Sequence, residues 1–278
     1  MYRTILLLLL LFNANWVFAI QENSTHASEQ TFVFGVVPQH KALRSAARWQ
    51  PLLEYISRHT GYNLQFSTEP TIDQFTQAFL DGEYDFVYVN PHSYTLGHEA
   101  EGYCAFAKEA ERTLRAIIVV RADNAIRHLR DLEGQKVAFP AEAAFTSILL
   151  KTALAQLGIQ IKPVYIGSHD EVYLSVYKGQ YVAGGGVVRT FKGINQNSAL
   201  RKYLKVFWKT EEYTGHALAA HPRVPHEAVG KILNVMKTLS DDAYGQYLLE
   251  EVKLNGIETA QDADWDIIRL LFSDIEVL

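Results

Sequence analysis

The sequence predicts an α/β protein of two lobes with a cleft between them. Between Thr31 and Val89, short apolar runs alternate with segments of helical periodicity in the order β-α-β-α-β, the pattern of a largely parallel sheet. From Lys136 the same order recurs and runs into Gly184-Gly185-Gly186. Size is the third observation: 278 residues are many for one core, and the single cysteine, Cys104, leaves no intrachain disulfide to hold the chain. Joins near Arg121 and near Tyr213 make the second lobe an insertion in the first. The expected boundaries are 31–120 plus 214–278 for the first lobe and 121–213 for the second. One continuous doubly wound sheet is the competing architecture.

The first lobe opens with Thr31 to Val37, an apolar strand ended by Pro38-Gln39. Lys41 to His59 has helical spacing, with Pro51 inside it, so the helix is expected to start or kink there. Tyr62 to Ser67 alternates as a strand does. Thr71-Ile72-Asp73-Gln74 is a capping box that starts a helix through Leu80. Asp81-Gly82 turns the chain into Phe86 to Val89, a buried strand, and Asn90-Pro91 starts a helix at once. Asn is a favoured N-cap and Pro a favoured first helical residue. Tyr103 to Lys108 and Leu114 to Arg121 read as strands, the latter β-branched enough to be central. Cys104 reads as a buried apolar filler.

In the second series, Leu129 to Leu132 is a short helical turn and Val137 to Phe139 a strand. Thr146 to Leu157 is a helix and Lys162 to Ile166 a strand. Ser168-His169-Asp170-Glu171 is a second capping box, whose helix ends at Lys178-Gly179. Gln180 to Ala183 is a strand leading into the glycines. Tyr203 to Trp208 and His216 to Ala220 return the chain to the first lobe, where three helical starts follow at Pro225, Ser240 to Asp242 and Asp262.

At the amino end, Arg3, the apolar run Ile5 to Phe12 and Val17-Phe18-Ala19 read as a cleaved secretory signal over 1–19, followed by a polar, flexible stretch over 20–30. The apolar run is short for a membrane anchor. No cysteine follows the cleavage site, which argues against a lipid anchor. Export with one cysteine suits a periplasmic protein. The formal net charge of −5, one unit more negative once Arg3 is removed, argues against nucleic acid as a partner.

Several polar residues crowd the carboxyl ends of strands, where ligands of open α/β sheets bind. Gln39 follows the first strand, and Tyr88, Asn90, His92 and Tyr94 surround the third. A helix start there also offers free N–H groups to an anion. Adjacent Ser168, His169 and Asp170 cannot converge as a catalytic triad, and no nucleophile with a base nearby stands out, so no enzyme activity is expected. His40, His92, His169 and His216 lack metal-ligand spacing, and neither metal nor cofactor is expected.

Several motifs occur together in order: Gly35-Val36-Val37-Pro38-Gln39, Gly82-x-x-Asp85-Phe86-x-Tyr88 with Pro91-x-x-Tyr94, Leu129-x-Asp131-Leu132-x-Gly134, Gly167-Ser168-His169-Asp170, and Lys178-Gly179. With the signal, this resembles the periplasmic binding proteins for phosphonate, phosphite and phosphate of ABC transporters. The resemblance implies a type II periplasmic binding protein fold, in which two lobes joined by two crossover strands close on a ligand. It implies first-lobe tyrosines, here Tyr88 and Tyr94, and second-lobe donors at helix starts, here Ser168, His169 and Asp170. The family's Ser-Thr-Ser-Gly run is replaced by Pro140-Ala141-Glu142-Ala143-Ala144-Phe145, leaving hydroxyls only at Thr146 and Ser147. Backbone N–H groups near Gly184 to Gly186 and the Arg189 fork are the expected compensation. The implied form is a monomer that takes a small anionic ligand to an ABC permease. A sensory module of the same fold, presenting its ligand to a membrane receptor kinase or cyclase, is the alternative.

Overall fold

A computed structural model describes residues 30–39, 42–111, 113–142, 144–194 and 199–273. The signal segment over 1–19, nearly all of the 20–30 stretch, His40 and Ala143 lie outside these residues. Eleven strands form two sheets, and two more form a short ribbon between them.

The first sheet contains β1 (Thr31–Val36), β2 (Asn63–Ser67), β3 (Phe86–Val89), β4 (Cys104–Glu109), β12 (Ala217–Ala220) and β13 (Ile257–Thr259). Its order is β13-β4-β12-β3-β1-β2, with β1 parallel to both β2 and β3, and β12 antiparallel to β3 and β4. The second sheet contains β6 (Ala116–Arg121), β7 (Lys136–Phe139), β8 (Lys162–Tyr165), β9 (Ala183–Val187) and β10 (Leu204–Lys209). Its order is β10-β6-β9-β7-β8, again with a parallel trio whose first strand lies in the middle. Each trio is flanked by antiparallel strands that carry the chain between lobes. The ribbon strands β5 (Thr113–Leu114) and β11 (Tyr213–Thr214) pair with each other where the two crossovers run side by side. The expectation of two lobes, not one sheet, is met.

Helices α1 (Ala42–Thr60), α2 (Ile72–Leu80), α3 (Pro91–Glu101), α8 (His226–Lys237), α9 (Ala243–Glu251) and α10 (Asp266–Ser273) accompany the first sheet. Helices α4 (Phe145–Gln156), α5 (His169–Tyr177), α6 (Val188–Lys192) and α7 (Ala199–Tyr203) accompany the second. Phe34, Trp49, Phe75, Phe79 and Phe86 fill the first core; each buried ring of this size contributes roughly 2–3 kcal/mol. The local signals act as read: Thr71 accepts from Gln74 N–H, Asn90 accepts from Ser93 N–H with Pro91 behind it, and Ser168 and Glu171 form a reciprocal capping box.

Four expectations are corrected. Helix α1 runs from Ala42 through Pro51, so it does not start at the proline. Ala116–Arg121, placed in the first lobe by the boundary at 120, belongs to the second sheet, paired with β9 and β10. Cys104 is exposed at the start of β4 and does not fill the core. Gly184 to Gly186 lie within strand β9, where a Cβ would come within 2.5 Å of Val172 Cγ1, 2.5 Å of the Phe139 ring and 2.1 Å of the Tyr173 hydroxyl. The glycines let α4 and α5 approach the sheet closely.

Candidate functional site

Five strands of the two parallel trios end on one cavity of about 510 Å³. Val37 and Gln39 follow β1, and Asn90 follows β3. Ala144, Phe145 and Thr146 follow β7, His169 follows β8, and Val188 to Thr190 follow β9. Strand carboxyl ends beside the middle strand of a trio are where the chain leaves in opposite directions and a crevice opens.

The first-lobe wall is internally satisfied. Asn90, 4% exposed, accepts from Ser93 N–H at 2.9 Å and donates to Ser93 Oγ at 2.8 Å. Tyr88 is buried and stacks on His216, centroids 4.9 Å apart and planes 15° apart, with Trp49 on another side. The Gln39 amide nitrogen donates to His216 Nε2 at 2.8 Å, which requires that nitrogen to be unprotonated. Burial holds the His216 pKa down to about 3, assisted by the neighbouring Arg189 and His169. His216 is therefore a neutral acceptor whose accessible surface opens on the cavity.

The second-lobe wall leaves donors open. Helix α4 begins after Ala144, which supplies no side-chain cap, so its first-turn N–H groups are not taken by a cap. Thr146, 2% exposed, is the hydroxyl that remains at this start. Phe145 packs edge-on to Tyr213 of the ribbon and Phe272 of α10 at 6.5 and 6.4 Å. Arg189 crosses the cleft: its guanidinium donates to Gln39 Oε1 at 3.3 Å and to the Lys253 carbonyl at 3.1 Å, and lies 3.5 Å from Glu109 Oε2. All three partners belong to the first lobe. At the ribbon, Arg115 pairs with Glu212 at 2.7 Å.

Of the sequence-selected residues, Gln39, Asn90, Thr146, His169 and Arg189 come together around the cavity. Tyr88 and Asp170 border a side chamber that opens beyond Arg189. The other four are engaged elsewhere. The Tyr94 hydroxyl donates to Asp262 at 2.7 Å and accepts from Ala105 N–H, and burial raises its pKa. His92 sits edge-on to Phe272 at 4.5 Å, and burial lowers its pKa to about 4. Ser147 donates to the Ala141 carbonyl, and Ser168 is held in its capping box with Glu171. Sequence reasoning did not single out Glu109, Arg115 or Glu212, nor His216 outside the metal question. All four flank the crossovers, and only their closeness to those chain crossings could have flagged them. Among the described residues no group of His, Cys, Asp and Glu side chains is placed to hold a metal ion.

Known proteins share this fold. Residues 34–265 match the family described as "ABC transporter, phosphonate, periplasmic substrate-binding protein". The phosphate-import protein PhnD of Mycolicibacterium smegmatis is 20% identical, over 90% of this chain and 87% of its own. The structure of PhnD1 from Prochlorococcus marinus in complex with methylphosphonate superposes with a TM-score of 0.79 at 16% identity, covering 90% of this chain and 99% of that one. The binding component of a phosphonate ABC transporter from Pseudomonas aeruginosa gives 0.78 at 16% identity, covering 87% and 85%. At these identities the structures show a shared fold. The family match spans most of the chain, and the protein belongs to the periplasmic substrate-binding proteins of phosphonate ABC transporters.

Proposed function

We propose that this protein captures a small phosphonate-like oxyanion in the periplasm and delivers it to an ABC permease, without making or breaking a bond. One observation carries the reading: two helix starts of the second lobe, at Phe145 and His169, open on a cavity that Arg189 spans. Helix starts present N–H groups and positive dipole ends, and an oxyanion is stabilised when each oxygen is paired. His216, neutral and already accepting from Gln39, offers an anion no positive charge, so recognition falls to backbone N–H groups, Thr146, His169 and Arg189. The signal expected over residues 1–19 fits export to that compartment. Closure of the two lobes about the paired crossovers commits the ligand, as hinge closure does generally.

With only Thr146 presenting a hydroxyl at the α4 start, the cradle has few side-chain donors for a bare phosphate. The favoured ligand is an organic phosphonate, whose substituent lies outside the cradle. The test is thermal melting with phosphate, phosphite, methylphosphonate and 2-aminoethylphosphonate. An upward shift with at least one phosphonate, larger than with phosphate, is expected; melting unmoved by all four overturns the reading.

A further inference from the structure

Beyond Arg189 the cleft continues into a side chamber of about 290 Å³. The two spaces share Val37, Gln39, His169, Arg189 and Thr190 as lining, so they adjoin across one guanidinium. The chamber's character differs from that of the main cavity. Its charged lining comprises Arg44, Arg48, Arg189 and Lys253 against a single carboxylate, Asp170. In the main cavity, Glu109 and Glu212 pair with the arginines; here Arg44 and Arg48 form no ion pair or hydrogen bond with any described residue. They stand four residues apart on α1, on one helix face. Between them lies Ser45, 4% exposed, whose hydroxyl makes no hydrogen bond to another described residue and which also lines the chamber. Trp49 and Tyr88, both buried, form the apolar floor. Two guanidinium groups and a nearly buried hydroxyl, all without a partner among the described residues, and an aromatic floor make a site suited to a planar or tetrahedral anion.

We infer that this chamber is a second anion subsite, and that the ligand is an organic phosphonate whose substituent ends in another acidic group, a carboxylate or a second phosphorus oxyanion. The first oxyanion occupies the helix starts, and the substituent passes Arg189 to place its far charge against Arg44, Arg48 and Ser45. This rests on the oxyanion reading above and specifies the ligand's other end.

Isothermal titration with the full mature chain tests it, using methylphosphonate, phosphonoacetate and 3-phosphonopropionate as probes. At least one of the two-anion probes is expected to bind about tenfold or more tightly than methylphosphonate, the gain of one charge-assisted contact. In the double variant R44Q/R48Q that preference is lost, while methylphosphonate affinity stays within about twofold and melting of the free protein is unchanged, since Arg44 is exposed and Arg48 half-buried. S45A lowers the preference in part. Methylphosphonate binding without a preference for either two-anion probe overturns the subsite and leaves the oxyanion reading standing. Equal weakening of all probes in R44Q/R48Q overturns it too, because it shows long-range attraction and not a local contact. Binding of none of the three probes overturns both readings.

Discussion

At the start of α3 on the first-lobe wall, Asn90 closes its own helix with two side-chain hydrogen bonds inside a core of aromatic rings, whereas at the start of α4 on the opposite wall Ala144 has no polar side chain to do so. The same contrast holds for the strands beneath. β3 is Phe-Val-Tyr-Val and packs by its side chains, while β9 is Ala-Gly-Gly-Gly-Val and packs by lacking them. The difference teaches a division of labour. The first lobe supplies a wall capped from within, with neutral His216 and Tyr88 stacked in it, and the second supplies helix-start N–H groups without a side-chain cap at α4 and Arg189, which reaches across. In the function proposed above, a ligand oxyanion would complete the hydrogen bonding of the second wall and so link binding to closure.

The largest disruption of this contrast is expected from Gly186→Val. A Cβ there meets the Tyr173 hydroxyl at 2.1 Å, and overpacking of this kind costs about 3 kcal/mol. Chemical denaturation should show a lowered midpoint; an unmoved one would mean that α5 is free to retreat from the sheet.

Acidification should come next. His216 is depressed in the folded protein to about 3, so between that value and the usual ~6.5 the unfolded chain binds the extra proton. The stability it contributes is present above pH ~6.5 and declines as pH falls toward 3, by on the order of 2.5 kcal/mol at pH 4.5. His92, lowered to about 4, acts over part of the same window. H216Q, which does not titrate, should flatten the curve of stability against pH relative to wild type. Parallel curves for the two proteins would refute the assignment to His216.

Asn90→Ala removes a buried cap and leaves Ser93 N–H without its acceptor, with an expected cost of about 1.5 kcal/mol in unfolding free energy. A cost near zero would show that the first wall is not closed by this side chain. The smallest effect is the most discriminating. Ala144→Asp gives the second wall the cap that the first already has, and should stabilise the free protein by about 1 kcal/mol. It should also weaken methylphosphonate binding, because the new carboxylate occupies the N–H groups and repels the anion. Stabilisation without weaker binding would separate the α4 start from ligand recognition.

The capping residues show how much could be read from the chain. Thr71, Asn90 and Ser168 were legible because a cap is a contact within four residues, decided by local geometry. The parallel trios were legible because period-2 and period-3.6 patterns report which face is buried. Tyr94 and Tyr88 illustrate the opposite case. Both sit beside the same strand end, yet Tyr94 is drawn to Asp262, 168 residues away, while Tyr88 stacks on His216 beside the cavity. Nothing local distinguishes them, since each orientation depends on which distant element packs above it. The glycines of β9 misled for a related reason: read locally they end the strand at Ala183, but their cause is the close approach of Tyr173, Val172 and Phe139 from elsewhere in the chain.

The sequence by itself determined the two α/β series, the helix starts aimed at strand ends and the family's motifs, because these rest on short-range propensity and periodic burial. The tertiary structure decided that Arg189 bridges to Gln39, Glu109 and Lys253, that His216 is held neutral, and that Arg44 and Arg48 face a chamber with few opposing carboxylates. Charge pairing and desolvation depend on distances across the cleft, and those are set only when the two crossovers bring the lobes face to face.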